Sequence, residues 1–207
     1  MKLIRQYFPH ISEEQIYKLK SFHKYSSEWN NKINLISRKD IDFFEERHLL
    51  HSLSVAGIFN FTAKTSIIDV GTGGGFPGIP LAIFFPEVEF TLVDSIRKKI
   101  IAVDDIINKL NLINCKTLNC RIEQINKKYD FVIARAVTSF PAFFTLTKNL
   151  IAKNSKNQFS NGIIYLKGGD FNEEIESFKN IVVFDLDKTY KTDFFSTKKI
   201  IYLPFNN

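Results

Sequence analysis

Ile67-Ile68-Asp69-Val70-Gly71-Thr72-Gly73-Gly74-Gly75-Phe76-Pro77-Gly78 passes from an apolar run into a glycine-rich loop and then into a helical pattern. Side chains at the glycines would block a ligand lying against the backbone, and some of these positions demand φ > 0. The stretch therefore reads as a cradle for a nucleotide-like ligand at the carboxyl end of a strand, where open α/β sheets bind.

Outward from the loop, apolar runs alternate with helical segments, the signature of βα units and a mostly parallel sheet. Strands are expected at 66–70, 89–93, 116–119, 131–134, 163–166, 181–186 and 199–203. Helices are expected to start near Pro77, Ile96, Phe140 and Asp170, with a shorter connection around Glu123. This predicts a Rossmann-like α/β domain with a seven-stranded, mostly parallel sheet over residues 65–207.

Residues 1–64 read as a helical extension. Ser12 and Gln15 form a capping box, and Ile16, Leu19, Phe22, His23, Ser26 and Trp29 follow at spacings of three and four. A polar connection, Asn34 to Asp40, leads to a second periodic segment through Phe44, His48, Leu49, Leu53 and Phe59, with Asp40 as its expected N-cap.

Composition sets the outer bounds. Hydrophobic residues make up 44% of the 207 and aromatics 14%, which fits a packed core and excludes a disordered chain. Cys115 and Cys120 match neither a disulfide framework nor a zinc site. No stretch reaches the roughly 18 apolar residues of a membrane span, so a cytoplasmic enzyme without membrane contact is expected. The formal charge of +6 favours an anionic partner.

Gly73-x-Gly75-x-x-Gly78 also matches the dinucleotide fingerprint, with Asp94 near the end of the next strand. Two details count against NAD. A carboxylate at Asp69 repels a pyrophosphate but attracts the ammonium and sulfonium of S-adenosylmethionine. Pro77 lacks an N–H where a phosphate wants a donor. A P-loop fits worse, because no Gly-Lys-Ser/Thr follows. Asp94 stands where a carboxylate accepts ribose hydroxyls, and its competing role is to cap the helix from Ile96. NAD and a binding module without transferase activity stay open as alternatives.

The acceptor is read largely by elimination. There is no Asp/Asn-Pro-Pro-aromatic run for an exocyclic amine and no Pro-Cys nucleophile for cytosine C5. Guanine N7 carries a free lone pair and needs no general base, so positioning supplies most of the acceleration. Arg135 and Lys167, at the ends of the fourth and fifth strands, are the candidate substrate-positioning residues. Arg97, Lys98, Lys99 and Arg121 add cations that could reach phosphates. His48 and His51 lack a third ligand, so no metal is expected. Arg47 has the alternative role of closing over the cofactor.

Asp69 to Pro80, together with Trp29-Asn30-x-Lys32-x-Asn34-Leu35, Arg47-His48 and Leu166-Lys167-Gly168, resembles the RsmG (GidB) family of bacterial 16S ribosomal RNA guanine-N7 methyltransferases. The resemblance implies a class I S-adenosylmethionine-dependent methyltransferase, acting as a monomer on 16S ribosomal RNA or the small ribosomal subunit at a guanine of the 530 loop. It implies cofactor contacts at Gly71, Phe76, Asp94, Ile122, Glu123 and Arg135. Lys98, Arg121 and Lys167 are its basic positions for RNA or the reacting base. Gly74, Phe76 and His51 depart from the family's usual Pro, Leu and Asp.

Overall fold

The computed structural model describes residues 1–37 and 40–205; Arg38 and Lys39, within the expected polar connection, lie outside them. Seven strands form one sheet: β1 (Ser66–Val70), β2 (Glu89–Asp94), β3 (Cys115–Asn119), β4 (Phe131–Arg135), β5 (Gly162–Gly168), β6 (Val182–Asp185) and β7 (Lys198–Pro204). Their spatial order is β3-β2-β1-β4-β5-β7-β6. The pairs from β3 to β5 are parallel, and β7 runs antiparallel to both of its neighbours.

The order reverses at β1, which is followed in sequence by β2 on one side and flanked by β4 on the other. A crevice opens at such a switch point beyond the carboxyl ends of the strands. The central strands are apolar on both faces, as a parallel sheet covered on both sides requires. Ile67, Phe90, Leu92, Ile133 and Leu166 feed one core, whereas Ile68, Val70, Val132, Ala134 and Tyr165 feed the other.

The N-terminal segment closes the first of these cores. Helix α1 (Lys2–Tyr7), which the periodicity did not announce, contributes Ile4, and α2 (Glu13–Asn30) contributes Ile16, Leu19 and Phe22. The capping box at Ser12 and Gln15 forms as expected, and Gln15 also uses its amide to reach outside its own helix. Its Nε2 donates to the carbonyls of Ile83 and Phe84 at 3.3 and 2.9 Å, at the end of α4 (Gly78–Phe84). At the far end Trp29 Nε1 donates to Asp105 Oδ2 at 2.7 Å, on α5 (Arg97–Lys109). Trp29 thus ties α2 to the sheet domain.

The second periodic segment is less regular than expected. It is a 3₁₀ turn at Ile41–Phe43, a π-helical stretch at Phe44–Leu50 and one α-turn, α3 (His51–Leu53). Asp40 makes no capping hydrogen bond; its carboxylate instead accepts from Arg47 Nη1 at 2.6 Å. Widened helical turns of this kind concentrate where side chains are re-aimed for function. Here the segment carries Arg47, His48 and His51 to the edge of the crevice.

Candidate active site

The loop after β1 is shaped by backbone and by one sealed carboxylate. Gly71 has φ +68, and a Cβ there would stand 2.9 Å from Val137 Cγ2, so only glycine leaves the backbone open. Asp69 is fully buried beneath the loop, where its Oδ2 accepts from Thr72 Oγ1 at 2.6 Å and from the Gly78 amide at 2.9 Å. Its Oδ1 has no partner among the described residues. Burial raises the Asp69 pKa to about 6 despite these two donors. Asp69 therefore staples the loop to the start of α4, and the expectation that it faces the ligand directly is corrected.

Asp94, at the end of β2, does face the crevice. Its Oδ2 accepts from the Gly73 amide at 3.0 Å and its Oδ1 from the Ile96 amide at 2.8 Å. The helix after it starts at Arg97 with Ile96 as its N-cap and no side-chain capping bond, so the expected capping role of Asp94 is not formed. Its bond to the Ile96 amide closes the turn before the helix, and two of the carboxylate's about four lone-pair sites stay open.

A cavity of about 490 Å³ lies over the ends of β2, β1 and β4, within the roughly 300–1,000 Å³ range of small-molecule sites. Gly71, Asp94, Ile122, Glu123 and Arg135 line it together, and Arg121 and Lys99 stand at its wall. Ile122 and Glu123 arrive on a 3₁₀ turn after β3. Phe76 does not reach this wall. Its ring is 4% exposed and packs against Phe22, Phe44 and His48, and the Arg135 guanidinium lies 4.7 Å above it. The Phe76 side chain thus supports Arg135 from below, while its backbone stays in the glycine loop. Lys98 is exposed on α5, off the cavity.

Arg135 is held from the N-terminal segment. Its Nη1 donates to the Arg47 carbonyl at 3.2 Å, and its Nη2 lies 3.1 Å from His48 Nδ1. A guanidinium only donates, so this His48 nitrogen accepts and the ring proton resides on Nε2. Burial, and then the Arg135 charge, hold the His48 pKa down to about 3, which keeps the ring in that accepting form. Burial also lowers the pKa of Arg135 to about 10, so it remains a cation at neutral pH.

On its other side Arg135, with Ala136, borders a second chamber of about 280 Å³ over β4, β5 and β7. Arg47, His48 and His51 line this chamber and not the first. Lys167 is also there, but its Nζ pairs with both Glu174 oxygens at 2.6 and 2.5 Å, and Glu174 in turn accepts from the Phe140 amide. Lys167 is thereby fixed rather than free to swing. Among the described residues no group of three His, Cys, Asp or Glu could hold a metal ion.

Sequence reasoning missed the Arg135–His48 contact and the placement of Lys198 and Phe194 in the second chamber. Their only local signals were a histidine on an apolar face and a basic residue beginning a strand, and neither specifies a partner.

The comparisons agree with this geometry. The profile of the GidB family, described as rRNA small subunit methyltransferase G, matches residues 15–201. Ribosomal RNA small subunit methyltransferase G of Christiangramia forsetii is 46% identical over 204 residues, covering 99% of this chain and 97% of that protein. The Phocaeicola vulgatus protein of the same name is 45% identical over 207 residues, covering 100% and 99%. Among solved structures, a SAM-dependent O-methyltransferase from Thermotoga maritima superposes with a TM-score of 0.60 at 12% identity, covering 81% of this chain and 71% of that one. That likeness speaks to the fold.

Proposed function

The chain belongs to the GidB family, rRNA small subunit methyltransferase G, and from that premise we propose that it methylates N7 of a guanine in the 530 loop of 16S ribosomal RNA. The enzyme is a class I methyltransferase that uses S-adenosylmethionine. One observation carries the assignment of the site: a single cavity at the switch point gathers Gly71, Asp94, Ile122, Glu123 and Arg135 from four different strand ends.

In this reading S-adenosylmethionine, when bound, supplies a methyl group activated by a sulfonium. Asp94 accepts from the ribose hydroxyls with its remaining lone pairs, and Ile122 and Glu123 frame the adenine. Gly71 leaves room beside the backbone. Phe76 acts through Arg135, and Arg135 and Lys167 hold the acceptor side, with Lys98 and Arg121 as outlying RNA contacts. The N7 lone pair attacks the methyl carbon as the carbon–sulfur bond breaks, leaving S-adenosylhomocysteine and a cationic purine. No proton leaves before attack, so catalysis rests on holding two reactants in line. The preformed Arg135 fork meets that requirement at no reorganisation cost.

Residues 1–64 and 65–207 work as one unit in this account, which the shared core supports. A ribosomal substrate suits a cytoplasmic monomer working without membrane contact, and no described helix is long and apolar enough to cross a membrane. Mass mapping of small-subunit RNA from a strain lacking the gene should show one 7-methylguanosine lost and restored on complementation. An unchanged pattern would overturn the assignment. Calorimetry should show S-adenosylhomocysteine bound and NAD not; the opposite result would overturn the cofactor reading.

A further inference from the structure

The second chamber carries four cations, Arg47, Arg135, Lys167 and Lys198, against one carboxylate, Asp40. Two of the cations are already neutralised: Arg47 by Asp40 at 2.6 Å, and Lys167 by Glu174 at 2.5 Å. Arg135 and Lys198 have no ion-pair partner among the described residues. The Lys198 ammonium lies 4.8 Å above the Phe194 ring and so close to Gly168 that a Cβ there would stand 2.7 Å from its Nζ. A side chain at position 168 would push Lys198 away. His48 and His51, both buried and neutral, add no charge but present ring nitrogens without partners. Two cations without an ion-pair partner, Arg135 feeling Asp69 and Asp40 only at a distance, sit behind low-dielectric walls and focus a positive potential that an anion relieves.

We propose that this chamber is the subsite for the phosphate of the target nucleotide, with Lys198 its principal contact and Arg135 standing between that phosphate and the methyl donor. The inference rests on the proposed function, since it places the acceptor at the border the two chambers share. In an anti purine nucleotide, N7 and the 5′-phosphate lie along the same edge, so a base presenting N7 at Arg135 and Ala136 directs its phosphate past them. An ammonium acts as a point charge, which suits a phosphate; reading a base edge calls for a fixed fork of donors.

The test is the salt dependence of 16S ribosomal RNA binding, measured by filter retention, with calorimetry of S-adenosylhomocysteine alongside. Losing one phosphate contact should flatten the slope of log affinity against log salt by about one. Lys198→Gln is expected to do this while leaving S-adenosylhomocysteine affinity unchanged, and Lys198→Arg should keep the full slope. Lys153→Gln, in the exposed loop before β5 at the opposite end of the sheet, should also keep it. An unchanged slope in Lys198→Gln overturns the proposal, as does equal flattening in Lys153→Gln. Lost turnover with an unaltered slope overturns it too, because Lys198 would then serve the base or the reaction. A wild-type protein that binds S-adenosylhomocysteine but not the RNA overturns the functional reading instead, and the subsite falls with it.

Discussion

The two chambers on one rim of the sheet are built by opposite means. The first, over β2, β1 and β4, takes glycine and the carboxylates Asp94 and Glu123 from successive strand ends and the loops after them, with Lys99 and Arg121 at its wall. The second, over β4, β5 and β7, is made of side-chain cations and imidazoles, several of them delivered by the N-terminal segment. Arg135 is the partition, reaching His48 and Arg47 across 87 and 88 residues of sequence. The two chambers thus meet on either side of one guanidinium.

The division is most easily broken from the donor side. Asp94→Ala removes the carboxylate that holds both the Gly73 and Ile96 amides, and with it the proposed ribose acceptor. Hydrogen bonds to a charged group contribute about 1.5–3 kcal/mol each, so S-adenosylhomocysteine should bind about 10- to 100-fold more weakly by calorimetry. Affinity for 16S ribosomal RNA should stay as it was. Equal loss of both affinities would show that the chambers are not separate.

The same contrast accounts for what the sequence made legible. Every strand of the sheet was visible, because each is a local apolar run bounded by turn residues, and all seven fall within one or two residues of expectation. Gly71 and Asp94 were also visible, since they stand at strand ends beside the glycine loop, whereas Ile122 and Glu123, on a turn after β3, were carried by the family resemblance. The direction of the Phe76 ring was not legible, because a large apolar residue in a glycine loop gives no sign of which way it turns; Phe22 and Phe44, far away in sequence, decide it. Lys167 was recognised as a rim cation, but its neutralisation by Glu174 depends on how the short helix Asn172–Ile175 returns over β5. Lys198 was passed over because its strand runs antiparallel, so a residue at the start of β7 meets the carboxyl end of β5.

A second, smaller effect probes the partition itself. His48→Ala takes away the acceptor for Arg135 Nη2, and turnover on 16S ribosomal RNA should fall about tenfold, as loss of one hydrogen bond to a charge implies. S-adenosylhomocysteine affinity should change much less. His48→Gln offers a carbonyl acceptor and should recover most of the rate. If alanine and glutamine variants are equally slow, the imidazole serves the aromatic cluster with Phe44 and Phe76 rather than the guanidinium.

The smallest effect belongs to Asp69, which lies beneath both chambers and lines neither. Folded Asp69 keeps its proton up to about pH 6, whereas in the unfolded chain it releases it near pH 4. Between about pH 4 and 6 the folded state thus holds more protons than the unfolded, and stability falls as pH rises through that window, with the loss complete above it. Glu174, Asp105 and Asp185 have lowered pKa values and act in the opposite sense. Those groups are shared by wild type and Asp69→Asn, so they cancel when the melting temperatures of the two are subtracted. Asparagine does not titrate, and its amide oxygen can still accept from Thr72 and Gly78. The difference, wild type minus variant, should therefore fall by a few degrees between about pH 4 and 6 and stay level above, since about 2–4 °C corresponds to 1 kcal/mol in a chain of this size. Cofactor and RNA binding should be retained, because the loop keeps its staple. A difference that is flat across the window would mean that Asp69 is ionised throughout, and that the sealed carboxylate is a charge paired with Arg135 rather than a neutral clasp under the loop.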